Sequence, residues 1–271
     1  MKELKNRVAV VTGASAGIGL AIAEALVSEG CKVAIIARSS AVLDQVAAKL
    51  RSQGATVCAI ACDLGEATTV RQALARVERE LGPIDILVNN VGAGTFKPLH
   101  LTSIDECDTA LRLPYVPAVT ACHAVIGGMR QRGLGHIVNL TSPAGIFPLP
   151  FMVPYTSARH AMVGLSHALY EELRGTGVGV SLICPTQVNT GYFSSNDADM
   201  HWYPRISALF PVLEPAEVAK QVVQAIRENR REVVFPSILW ICVAVFRKAP
   251  RLSIALFRAL GLWGPSRQNP A

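Results

Sequence analysis

Arg7-Val-Ala-Val-Val-Thr-Gly-Ala-Ser-Ala-Gly-Ile-Gly19 is the stretch on which the fold turns. It opens as a short apolar run without polar alternation, the pattern of a strand buried on both faces. Glycines at 13, 17 and 19 follow, and then Ala21 to Ser28, where apolar residues recur at three- and four-residue intervals as on a helix. A glycine-rich turn alone is compatible with a structural role. Between a strand and a helix it gains a second meaning, because glycines let backbone amides approach a pyrophosphate at the positive end of that helix. Gly13, Ser15, Ala16, Gly17, Ile18 and Gly19 are therefore candidate dinucleotide contacts.

Further buried-strand runs lie at Lys32 to Ala37, Ala55 to Ala61, Ile84 to Val88, Gly135 to Leu140 and Val178 to Ile183, and helix-spaced segments such as Ala41 to Gln53 separate them. Alternation of this kind implies an α/β fold, a doubly wound parallel sheet of Rossmann type with helices on both faces. The 271 residues suffice for a sizeable core, and no repeat or linker divides them, so a single dinucleotide-binding catalytic domain is expected over 1–271. Its core is placed at 5–236. Residues 237–271 form a hydrophobic, basic C-terminal extension.

The second strand ends Ile35-Ile36-Ala37-Arg38-Ser39, about twenty residues beyond the glycines, where this fold meets the adenosine ribose. An acidic side chain there would accept from a ribose 2′-hydroxyl and repel a 2′-phosphate. The chain has Ala37 and Arg38 instead, and a planar cation with several donors suits a phosphate. With Arg38 and Ser39 as contacts the expected cofactor is NADP(H) in preference to NAD(H); the plainer alternative is a solvated loop arginine.

Four further motifs stand in order. They are Asp63-Leu64 after the third strand, Asn89-Asn90-Val91-Gly92 after the fourth, Ser142 with Tyr155 thirteen residues on, and Pro185-Thr186-Gln187-Val188-Asn189-Thr190. With the glycine turn, they make residues 5 to about 195 resemble the short-chain dehydrogenase/reductase family. The resemblance implies that Asp63 and Leu64 contact adenine and that Asn90 stabilises the sheet and lines the adenosine side. It implies that Pro185, Val188 and Thr190 belong to the nicotinamide side, and that Ser142 and Tyr155 are catalytic. Ketone reduction needs a hydride and a proton delivered to the developing alkoxide, so Tyr155 would give the proton while Ser142 hydrogen-bonds the oxygen.

Two members of the family's tetrad differ. Arg159 stands where the family has the Lys that binds the nicotinamide ribose, and Pro114 stands at the family's Asn position. Arg159 keeps a fixed positive charge and ribose donors, which makes it a catalytic and cofactor-binding candidate, but it cannot release a proton at neutral pH. Pro114 has no amide hydrogen and is expected to kink its helix, leaving the Ala110 carbonyl open to a water. Two readings follow. One is an NADP(H)-dependent oxidoreductase, a ketoreductase with an atypical active site, interconverting a carbonyl and an alcohol with Tyr155 as acid/base. The other keeps the fold without redox turnover, as a cyclase, isomerase, dehydratase or non-catalytic binding protein.

Phe96, Ile146, Phe147, Leu149, Phe151 and Phe193 are expected to wall the substrate pocket, with His201-Trp202-Tyr203 as a lid, so a lipophilic or aromatic small molecule is the expected substrate. The six histidines show no metal spacing and no metal site is expected. Seven cysteines without paired spacing read as core thiols. No secretion signal opens the chain, so a cytoplasmic location is expected, with association through the tail as a variant. A homodimer or homotetramer is expected.

Formal net charge is +6, and it is localised: residues 227–271 hold eight basic and two acidic side chains, whereas the preceding residues hold 18 of each. No groove-reading motif accompanies them, so nucleic acid is not an expected partner. Ser237 to Phe246 is a ten-residue apolar run, too short to span a bilayer. Arg251 to Trp263, read as a helix, puts Arg251 and Arg258 on one face beside leucines, which suits a membrane surface. Equally, the tail fits a cover over the substrate pocket or a neighbouring subunit.

Overall fold

The structure is a computed structural model that describes residues 1–192 and 199–265. Its centre is one seven-stranded sheet in the order β3-β2-β1-β4-β5-β6-β7, formed by β1 (Val8–Thr12), β2 (Lys32–Ala37), β3 (Val57–Ala61), β4 (Ile86–Asn89), β5 (Gly135–Leu140), β6 (Val178–Pro185) and β7 (Glu232–Phe235). Every neighbouring pair is parallel. The strand order reverses between β1 and β4, which opens a crevice at their carboxyl ends.

Alternate strand residues feed two cores. Ala9, Val11, Val33 and Ile35 face α1 (Gly17–Ser28), α2 (Ser40–Ser52) and α6 (Pro215–Glu228). Val8, Val10, Ala34 and Ile36 face α3 (Ala67–Leu81), α4 (Ile104–Arg132) and α5 (Val153–Glu172). The six expected strands are present within two residues at each end. The seventh, β7, was not among them, because only four residues between Arg231 and Pro236, the first of them charged, form this half-buried edge.

Helix α4 begins at a capping box, in which Ser103 Oγ accepts from the Glu106 amide and Glu106 Oε2 accepts from the Ser103 amide. It continues as one 29-residue helix through Pro114 and Pro117 rather than ending at either. Five cysteines are buried and two are half-buried, all as free thiols. Burial pushes Cys31, Cys58 and Cys122 up to about 12, so these thiols stay protonated.

The tail forms α7 (Ser237–Lys248) and α8 (Pro250–Ala259). Leu239 and Val243 of α7 and Trp263 after α8 make a separate small core with Ile146, Phe147, Cys184 and Ile206. No helix among the described residues is long and apolar enough to cross a membrane.

Within the β5–β6 pair, His136 is buried, and its Nε2 lies 2.9 Å from Ser181 Oγ, which itself donates to the Arg230 carbonyl. That leaves Nε2 carrying the proton of a neutral ring. Burial, helped by the N-terminal charge, pushes its pKa down from 6.5 to about 3. Below pH 6.5 the unfolded chain takes up a proton that the folded chain refuses until about pH 3. Stability is therefore expected to fall as pH falls through that window, by about 1.4 kcal/mol per unit for this group. Denaturant melts at several pH values should show a shallower acid slope in His136→Gln; an unchanged slope would contradict the assignment.

Candidate active site

The carboxyl ends of β1, β4, β5 and β6 open onto one cleft of about 660 Å³. At one end lies the glycine turn. Gly13 and Gly17 adopt left-handed backbone, φ +66° and +56°, which a side chain would strain. Gly19 serves packing: a Cβ there would meet the Gly13 carbonyl oxygen at 2.2 Å. Gly19 accordingly stands behind the cleft wall, whereas Gly13, Ser15, Ala16, Gly17 and Ile18 line it. Ala16 is the N-cap of α1 and has no side-chain oxygen, and the first turn holds no acidic residue. The first amides of α1 thus have no side-chain cap, at the positive end of the helix dipole.

Asn90 ties the crevice together. Its Nδ2 donates to the carbonyls of Thr12 and Gly13 at 3.1 and 3.3 Å, and its amide donates to Thr12 Oγ1. Arg38 and Ser39 line the cleft beyond Ala37; among the described residues Arg38 makes no ion pair, and Ser39 caps α2 with no side-chain bond. Leu64 is on the wall, and Asp63 is beside it with its carboxylate accepting from the Gly65 amide, 2.9 Å. Pro185, Val188 and Thr190 close the opposite side, where Thr190 lies against Gly17.

Ser142 caps the short turn Pro143–Gly145, its Oγ accepting from the Ala144 amide at 3.0 Å. Tyr155 and Arg159 project from the first turns of α5, one helical turn apart. A buried chain of bonds fixes that helix: Asn89 Nδ2 donates to Asn139, Asn139 Nδ2 to Ser166, and Ser166 to the Met162 carbonyl. The Tyr155 ring meets the edge of Phe96 at 5.6 Å, and the Arg159 guanidinium sits 4.9 Å over the same ring.

Arg159 is only 5% exposed. Its Nη1 donates to the Leu140 carbonyl at 3.2 Å, its Nε has no hydrogen-bond partner, and no carboxylate among the described residues pairs with it. Burial works against its charge, but the phenols of Tyr155 and Tyr192 beside it outweigh that and hold its pKa above the ordinary arginine value. The sequence places pocket residues at 93–100 and 191–215 and Gly92 in the turn after β4, but it does not anticipate the contacts made there. Gly92 and Gly94 admit these side chains, since a Cβ at Gly92 would lie 2.1 Å from Arg159 and one at Gly94 would lie 2.4 Å from the Tyr155 ring. Tyr192, two residues past Thr190, is half-buried and interacts with both Tyr155 and Arg159; burial and Tyr155 raise its pKa. Pro114 is buried behind the wall, whereas Thr109 and Leu113 of the same helix reach it.

Of the expected pocket residues, Phe96, Phe147 and Leu149 line the cleft. Ile146 and Phe151 do not. Ile146 turns into the tail core, and Phe151 packs on Trp202 at 5.0 Å. Phe193 lies outside the described residues. Leu113, Met152, Tyr203, Ile206 and Phe210 complete an apolar end. Tyr203 of the expected lid packs at a tilt on Phe96, 5.5 Å between ring centres. Among the described residues no three His, Cys, Asp or Glu side chains are placed to hold a metal ion.

Residues 7–201 match the short chain dehydrogenase family. The chain belongs to that family. A 17-beta-hydroxysteroid dehydrogenase 13 of Rattus norvegicus is 31% identical over 247 residues, 90% of this chain and 79% of the relative. Among solved structures, a short chain dehydrogenase/reductase from Burkholderia phymatum in complex with NAD superposes with a TM-score of 0.84 at 26% identity, covering 100% of this chain and 99% of that one. A metagenomic short-chain oxidoreductase in complex with NADP gives 0.73 at 30% identity, covering 86% and 98%. This short chain dehydrogenase is thus an oxidoreductase by family, and its structural neighbours include proteins solved with either nicotinamide dinucleotide.

Proposed function

We propose that this chain is an NADP(H)-dependent oxidoreductase that interconverts a carbonyl and an alcohol on a lipophilic or aromatic substrate, with Tyr155 as acid/base. The observation that carries the reading is the shared wall. Ser142 and Tyr155 face an apolar chamber that is continuous with the glycine turn, Arg38 and Thr190.

The residues fit a dinucleotide. Uncapped amides of α1 suit a pyrophosphate, and a buried arginine without a carboxylate suits ribose hydroxyls. When bound, NADPH supplies the hydride. The chain supplies the rest. Ser142 Oγ already accepts from the Ala144 amide, so its own proton is left to donate to a carbonyl oxygen. Tyr155 transfers its phenolic proton to that same oxygen as negative charge develops there. Nη1 of Arg159 is anchored on Leu140, which holds the fixed charge next to the reacting phenol. Phe96, Leu149, Met152, Tyr203 and Phe210 exclude water and select an apolar substrate.

Preference for NADPH over NADH is expected to be at least about tenfold, since one charge-assisted contact to a 2′-phosphate is worth about 1.5–3 kcal/mol. Arg38 and Ser39 are the contacts meant. Equal dissociation constants for the two cofactors, or an unchanged preference in Arg38→Ala, would reject this.

The non-redox reading, as cyclase, isomerase, dehydratase or binding protein, has its own support. Arg159 cannot pass a proton on, and Pro114 has no side-chain donor to hold a water. Restoring the family's residues as Arg159→Lys with Pro114→Asn separates the two. On the redox reading the double variant turns over NADPH with lipophilic ketones faster than the parent, and the two changes are not additive. If it folds, binds NADPH and gains nothing, the non-redox reading prevails.

A further inference from the structure

The tail carries no acidic residue: positions 237–271 hold Arg247, Lys248, Arg251, Arg258 and Arg267 and neither Asp nor Glu. The segment has a packed side and an exposed side. One side packs inward, where Leu239 and Val243 join Phe147 and Ile206. Arg205 donates to the carbonyls of Gly261 and Pro265, and the Ile206 amide donates to Leu262. Since Ile206 lines the cleft, that side braces the substrate wall.

The other side is exposed and apolar. Ile238, Trp240, Ile241 and Val245 on α7 and Leu252, Leu256 and Leu260 on and just after α8 all stand open, with Trp240 at 57% and Leu252 at 71%. On α8 the leucines form one row at four-residue spacing. Arg251 and Arg258 form a second row, Ala255 and Ala259 lie between, and Ser253, Ile254 and Phe257 take the packed side. Arg247 is paired with Glu232. Lys248, Arg251 and Arg258 are exposed, and among the described residues they make no ion pair.

We propose that this outer face of α7 and α8 docks on a bilayer surface that carries anionic lipid. Cations beside a row of leucines and an exposed tryptophan match an interface in which headgroup phosphates lie directly above acyl chains. With 12 and 10 residues the helices are too short to span, so they lie in the surface. A second copy of this chain is a poorer occupant, because a two-fold pairing of the face would bring like charges together with no acidic residue from either tail. Docking would bring the braced substrate wall to the lipid, where an apolar substrate concentrates. That last consequence rests on the proposed function; the docking does not.

The test is co-sedimentation of the full chain with phosphatidylcholine vesicles with and without phosphatidylglycerol. About tenfold or more protein should pellet with the anionic vesicles at low salt, the excess fading as salt rises. The Trp240 emission should also shift to the blue, and the excess should be lost in Lys248→Glu/Arg251→Glu/Arg258→Glu and reduced in Leu252→Ser/Leu256→Ser. These positions are exposed, so the variants should keep the parent's circular dichroism and NADPH affinity. Protein left in the supernatant at low salt overturns the proposal. So does binding that the charge-reversed variant retains, or a change of solution mass in the leucine variant that shows the face to be a protein interface.

Discussion

Tyr155→Phe is expected to lower kcat/KM for carbonyl reduction by about 10²–10⁴-fold, the range for loss of a positioned general acid. The substitution keeps the ring's contacts and removes only the hydroxyl, which lies toward Arg159 and Tyr192. Phe96 meets the ring edge-on at 5.6 Å, Arg159 lies 4.9 Å over its face, and Gly94 lets it approach the β4 loop. A phenylalanine keeps all three contacts, so NADPH affinity and melting temperature should change little. The loss should appear in kcat rather than KM, because the proton is needed only as charge develops on the oxygen. A Tyr155→Phe enzyme with more than a tenth of parental turnover would remove Tyr155 from the chemistry.

Arg159→Met is expected to separate stability from function. A buried guanidinium without a carboxylate partner is costly, and replacing such a charge by an apolar chain of similar length is often neutral or stabilising by about 1–4 kcal/mol. Here Nε has no partner, Nη1 has only the Leu140 carbonyl, and the groups beside the charge are the phenols of Tyr155 and Tyr192 rather than a carboxylate. The cofactor-free variant should therefore melt no lower than the parent. Its NADPH affinity should fall about tenfold or more with the loss of charge-assisted contacts, and kcat/KM should fall by about 10²-fold or more with the loss of the fixed charge beside Tyr155. Melting curves with and without NADPH, together with steady-state kinetics, check both halves. A lower melting temperature without NADPH and unchanged affinity would make Arg159 a structural residue.

The residues that were legible in the sequence are those whose type is forced by backbone or by charge. Gly13 and Gly17 hold positive φ, and the patterning of β1 through β6 follows from burial on both faces. The position of Arg38 on the cleft wall could be read because it lies at a fixed distance past the glycines. Gly92 and Gly94 were not legible for their contacts. Their need for hydrogen arises from side chains more than sixty residues away, which no local pattern records. Tyr192 escaped for the same reason. Ile146 and Phe151 show the limit of composition: both are apolar and beside the site, yet one turns into the tail core and the other onto Trp202. The tail was divided between two expectations because its helices have two faces, one packed on the cleft wall and one exposed, and only packing tells which residues lie on which.

The most direct test of the central claim is deuteride transfer from NADPH labelled at C4 of the nicotinamide to a lipophilic aromatic ketone, followed by mass spectrometry of the product. The expected product is an alcohol with one deuterium on its carbinol carbon, formed from one face of the label only and at a rate that collapses in Tyr155→Phe. Tight NADPH binding with no labelled alcohol from any ketone of that class would contradict the claim.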